Sequence, residues 1–63
     1  MEFKDKILKA RVQLHLSQGE FAKLLGVGIA SVSRWETGNS KPSKLKEYEF
    51  YDFCKKNNIK FED

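Results

Sequence analysis

A chain of 63 residues can support one small core and no more, since a domain of this size hides only about 60% of the surface that its unfolded form exposes. With 33% charged and 40% hydrophobic residues, and no run near the roughly 20 apolar residues that a helical membrane span needs, the composition is that of a soluble globular domain. The net charge of +3 is unevenly spread: residues 1–44 carry eight Lys/Arg against four Asp/Glu and residues 45–63 four against five, so the basic surplus that suits a polyanion lies in the first two thirds.

Met1 is followed by Glu2, Lys4, Asp5 and Lys6 rather than by a basic stretch and an apolar core, so no secretory signal is expected and the chain is read as cytoplasmic. Cys54 is the sole cysteine, which rules out an internal disulfide. A core this small, held by packing alone, favours dimerisation or attachment to a larger chain. Phe3, Ile7, Ala10 and Leu14 recur at spacings of four, three and four, with Lys4, Lys6, Lys9 and Arg11 off that stripe. This predicts an amphipathic first helix over roughly residues 3–14. His15 follows where the chain needs a residue tolerant of the left-handed conformation, and His is among the few non-glycine residues enriched there. With no second ligand or nucleophile nearby, that reading stands ahead of a metal or catalytic one.

Ser17-Gln18-Gly19-Glu20 has the form of a capping box and starts a second helix, with Phe21, Ala22, Leu24 and Leu25 as its apolar face and Gly26 as its end. Val27 is the one apolar residue of the turn and is expected to point inward. Gly28 then stands at the N-cap of a third helix from Ile29 to about Thr37, stopped by Gly38. By spacing, Val32 and Trp35 face the core, while Ile29, Ala30, Ser31, Ser33 and Arg34 are partly or wholly outward. Pro42 disfavours helix at Lys41, so Asn39 to Pro42 is a loop. Ser43 caps a fourth helix over about residues 44–56, in which Leu45, Tyr48, Phe50, Tyr51, Phe53 and Cys54 occupy more than half the circumference. Cys54, amid aromatics and without flanking partners, reads as a buried thiol. The excess apolar surface needs a cover, either the last segment or a second copy of the chain, and Ile59, Lys60 and Phe61 alternate as a short edge strand would. Residues 1–56 are thus read as the domain and 57–63 as an extension.

Two short helices joined by a glycine turn, the second small and polar on its outer face, are what a B-DNA major groove about 12 Å wide admits. The stretch LSQGEFAKLLGVGIASVSRWETGNSKP, residues 16–42, resembles the Cro/repressor-type (XRE, lambda-repressor-like) helix-turn-helix family. Leu16, Ser17, Gln18, Phe21, Ala22, Leu25, Gly26, Val27, Ser31, Val32, Ser33, Trp35, Glu36, Gly38 and Pro42 fall in register with it, and Ile7 and Arg11 fit the preceding helix. The resemblance implies a small all-α four-helix domain that binds double-stranded DNA. It implies that Gln18 holds a phosphate and helps orient the third helix, that Gly28, Ile29, Ala30, Ser31, Ser33 and Arg34 face base edges or flanking phosphates, and that Thr37, Asn39, Ser40 and Lys41 grip backbone. It further implies a structural ion pair between Arg11 and Glu36.

Two departures from the family pattern bear on recognition. Ile29 and Ala30 stand where Gln or Arg is frequent, which replaces bidentate base reading by apolar contact with thymine methyls. Gly28 takes the place of a hydroxyl-bearing cap. No nucleophile has a base beside it in the sequence, so no enzyme activity, cofactor or metal is expected. The leading reading is a dimeric transcriptional repressor, with Tyr48, Tyr51, Phe53, Ile59 and Phe61 as the dimer contact. Two others stay open: a protein-interaction or antitoxin-like module that uses the aromatic fourth helix, and the DNA-targeting head of a larger protein.

Overall fold

The computed structural model describes residues 1–61. Among them are four helices and no strand: α1 (Phe3–Gln13), α2 (Gln18–Leu25), α3 (Ile29–Thr37) and α4 (Lys44–Lys56). The chain is an all-α domain whose helix limits follow the apolar periodicity to within a residue or so.

All four helices stop by one device. His15, Gly26, Gly38 and Asn58 take φ of 57°, 72°, 82° and 56°, the left-handed region that reverses the chain at once. The next residue's N–H then reaches back over the last turn: Leu16 to the Arg11 carbonyl at 3.2 Å, Val27 to Ala22 at 3.0 Å, Asn39 to Arg34 at 3.0 Å and Ile59 to Cys54 at 3.0 Å. In three of the four turns that residue is apolar, and Leu16, Val27 and Ile59 each pack against the core. A turn that satisfies its backbone and plugs the core together is how helices of eight to thirteen residues hold their angles in so short a chain.

The core is built from Ile7 and Ala10 of α1, Phe21 and Ala22 of α2, Val32 and Trp35 of α3, Phe50 and Cys54 of α4, and Ile59. Helix α3 lies against both α1 and α2. Helix α4 closes the assembly through Phe50, whose ring centroid lies 5.3 Å from Phe3, 6.4 Å from Phe21, 5.4 Å from Tyr51 and 6.1 Å from Phe61. Phe53 meets Phe21 at 5.7 Å.

This packing changes what the aromatic surplus of α4 means. Most of it is consumed within the chain: Ile59 is buried, and Tyr51, Phe53 and Phe61 are half-buried against the core. The stretch from Ile59 to Phe61 forms no strand; the Gln13 amide clasps Lys60 by accepting from its N–H at 3.3 Å and donating to its carbonyl at 2.8 Å. Residues 62 and 63, the rest of the expected extension, lie outside the described residues. What stays open on α4 is Leu45 and Tyr48, 65% and 75% exposed and three residues apart on one face.

Candidate nucleic-acid interface

Helix α2 starts as its sequence requires. The Ser17 hydroxyl accepts from the Glu20 N–H at 3.1 Å, and the Glu20 carboxylate accepts from the Ser17 N–H at 2.8 Å. These hydrogen bonds, the one to the Ser17 backbone foremost, hold the Glu20 carboxyl below its ordinary range. Gly19 is the close neighbour of α3 here, since a Cβ on it would lie 3.6 Å from Ile29 Cδ1.

One residue ties three helices together at this point. Glu36, near the end of α3, accepts from Arg11 Nε of α1 at 2.7 Å and from Arg11 Nη2 at 3.2 Å, and its Oε1 also accepts from Gln18 Nε2 of α2 at 3.0 Å. Arg11 Nη1 goes on to the Leu16 carbonyl at 2.9 Å. The Glu36 side chain is only 8% exposed, so the paired guanidinium compensates its desolvation. That hydrogen bond to Glu36 is also the main cause that raises the Arg11 pKa. The start of α2 and the end of α3 are thereby fixed relative to each other.

Gln18 is half-buried and its amide already serves Glu36. Its Nε2 carries a second N–H, so a donor toward solvent remains. The family resemblance implies both an orienting and a phosphate-holding role for Gln18, but not its partner, because residues 18 and 36 lie on different helices and nothing in their spacing joins them.

Outward of this brace lies a contiguous face. Gly28, Ile29, Ala30, Arg34 and Thr37 of α3 are exposed, as are Asn39, Ser40 and Lys41 of the following loop, while Ser31 and Ser33 are half-buried. Ile29 is 56% exposed, a large apolar side chain at the leading end of α3. The Thr37 hydroxyl donates to the Arg34 carbonyl at 3.1 Å. Arg34 has no carboxylate partner among the described residues, so a guanidinium with free donors stands on the outer face beside small side chains. Such a face is narrow, holds hydrogen-bond donors and methyl groups, and is set by a rigid base.

The five residues expected at a dimer contact do not form one open patch. Tyr48 is exposed, Tyr51, Phe53 and Phe61 contribute to the chain's own aromatic packing, and Ile59 is internal. Cys54 is buried, and burial pushes its thiol up to about 11. Among the described residues no three His, Cys, Asp or Glu side chains gather in a group that could hold a metal ion, and no helix is long and apolar enough to cross a membrane.

Residues 7–46 match a family model described as helix-turn-helix. No curated protein and no solved structure matches the chain significantly.

Proposed function

We propose, for a chain that belongs to the Cro/repressor-type helix-turn-helix family, that it binds double-stranded DNA sequence-specifically by laying α3 in the major groove. The observation that carries this reading is the exposed run Ile29, Ala30, Arg34 and Thr37 on a helix whose far side is locked by Arg11, Glu36 and Gln18. A recognition helix must keep its angle to the backbone-contacting helix, and the Glu36 node does that while leaving the outward side chains of α3 free. Arg34 reads guanine, Ile29 and Ala30 contact thymine methyls, and the spare Gln18 N–H together with Asn39, Ser40 and Lys41 takes phosphates. The finer role is that of a transcriptional regulator, a repressor acting by occupancy, with two copies paired through the open Leu45 and Tyr48 of α4.

The reading is tested by titrating the protein against a mixed-sequence duplex at several salt concentrations. Binding that falls steeply as salt rises is expected, because each phosphate neutralised releases counterions. Binding insensitive to salt, or none at low salt, would favour the second reading, in which the same Leu45 and Tyr48 face a protein partner.

A further inference from the structure

The first turn of α1 and the first turn of α4 come together beside the loop that follows α3. A groove between them is lined by Phe3, Lys6, Lys41, Pro42, Lys44, Glu47 and Tyr51. It runs on into a second depression that shares Phe3 and Lys41 and adds Glu2, Lys4, Trp35, Gly38 and Ser40. Four lysines therefore gather around one continuous surface with two carboxylates, and none of the four takes part in an ion pair among the described residues.

Two of these lysines carry a charge that no carboxylate pairs among the described residues. Lys6 is half-buried, with Nζ 3.3 Å from the Tyr51 hydroxyl and 5.2 Å from the centre of that ring. It is a cation seated on neutral groups and not neutralised by any of them. Lys44 opens α4, where a positive charge opposes the helix macrodipole, whereas its neighbour Lys46 has Glu49 at 3.3 Å. Glu47 in the same turn complements the macrodipole, so what sets these lysines apart is their gathering along one open groove. Lys4 extends the row to the end of the recognition helix, its Cδ lying 3.2 Å from where a Cβ on Gly38 would be.

We propose that this groove is a further contact for the sugar-phosphate backbone, with Lys6 held by Tyr51 as the fixed cation and Lys4 and Lys44 flanking it. The inference rests on the DNA reading above and deepens it. A strand gripped by Asn39, Ser40 and Lys41 continues into the groove, because Ser40 and Lys41 line the depression that opens onto it. Cations strung along an open channel suit a chain of phosphates better than a single small anion, which a closed pocket would hold. Tyr51 acts here as a positioning residue for Lys6.

The test compares the salt dependence of binding to one mixed-sequence duplex for the wild-type chain, for Lys4→Gln/Lys6→Gln and for Lys55→Gln/Lys60→Gln, which removes the same charge away from the groove. The groove variant is expected to lose about 2 from the slope of log affinity against log salt, at about 0.9 per phosphate contact, while the control pair keeps the wild-type slope. Tyr51→Phe, which keeps the ring and removes the hydroxyl, is expected to weaken binding about two- to fivefold with the slope retained, the worth of one neutral hydrogen bond. Circular dichroism confirms that each variant keeps its helices. Equal loss of slope in both lysine pairs, or no loss in the groove pair, overturns the groove while the DNA reading stands. A wild-type chain that shows no salt-dependent binding overturns both.

Discussion

Glu36 takes three side-chain hydrogen bonds from two other helices, so its neighbours test whether the brace governs the DNA-facing surface. Gln18→Ala removes one charge-assisted hydrogen bond and leaves the Arg11 pair. It is expected to cost about 1–2 kcal/mol of stability together with a loss of DNA affinity. Gln18→Glu sets a carboxylate against Glu36 and is expected to cost more. Urea denaturation of both variants at neutral pH checks the order. On the outer face, Arg34→Ala is expected to remove about 1–3 kcal/mol of discrimination between matched and scrambled sites, whereas Lys41→Ala weakens both alike. Titrations on the two sites separate base reading from phosphate contact.

At the ends of the helices, the left-handed turns show what a residue type costs there. Gly26 and Gly38 adopt this conformation freely, but His15 and Asn58 carry a Cβ against the carbonyl. His15→Gly is expected to stabilise the domain by up to about 1 kcal/mol, and Gly26→Ala to destabilise it by about 1–2 kcal/mol although no atom lies within 4 Å of the added carbon. Thermal melts of the two variants should move in opposite directions; a shift of the same sign would mean that contacts, not backbone conformation, set these turns. The turns were readable from sequence because their signals are local: glycine or histidine after the last apolar position, and a capping box within four residues. Helix limits, the Val32 and Trp35 core positions and the inward Val27 followed from the same short-range patterns. The covering of α4 was readable only as a choice between the last segment and a second copy of the chain. Spacing shows that Phe50, Tyr51 and Phe53 exceed one stripe, but not that Phe3 and Phe21 converge on them from far along the chain. Nor could it show that Lys6 lies on Tyr51, forty-five residues away.

For the molecule as a whole, the aromatic closure stands in for the missing disulfide. A domain of this length has only about 3–9 kcal/mol of stability to lose, and the Phe50 hub joins α1, α2, α4 and the segment that follows α4. The proposed pairing of copies uses the small open face of Leu45 and Tyr48, one of several places, with Leu8, Val12 and Leu24, where large apolar side chains are exposed. Such a face predicts weak association: sedimentation equilibrium at micromolar concentration is expected to show monomer and dimer together, and Tyr48→Lys monomer alone. A wild-type chain that stays monomeric would remove the pair from the account without touching the fold or the recognition helix.

The outward face of α3, braced by Glu36 and carrying Arg34, is the element on which the proposed activity depends. Selection of bound duplexes from a random library, run in parallel on the wild-type chain and Arg34→Ala, tests it most directly. The wild type is expected to enrich a defined motif, repeated about 34 Å apart where two copies bind, and Arg34→Ala to lose a guanine position from that motif while the rest persists. No enrichment over the starting library by the wild type, or an identical motif from both proteins, would contradict the assignment of α3 as the reader of sequence.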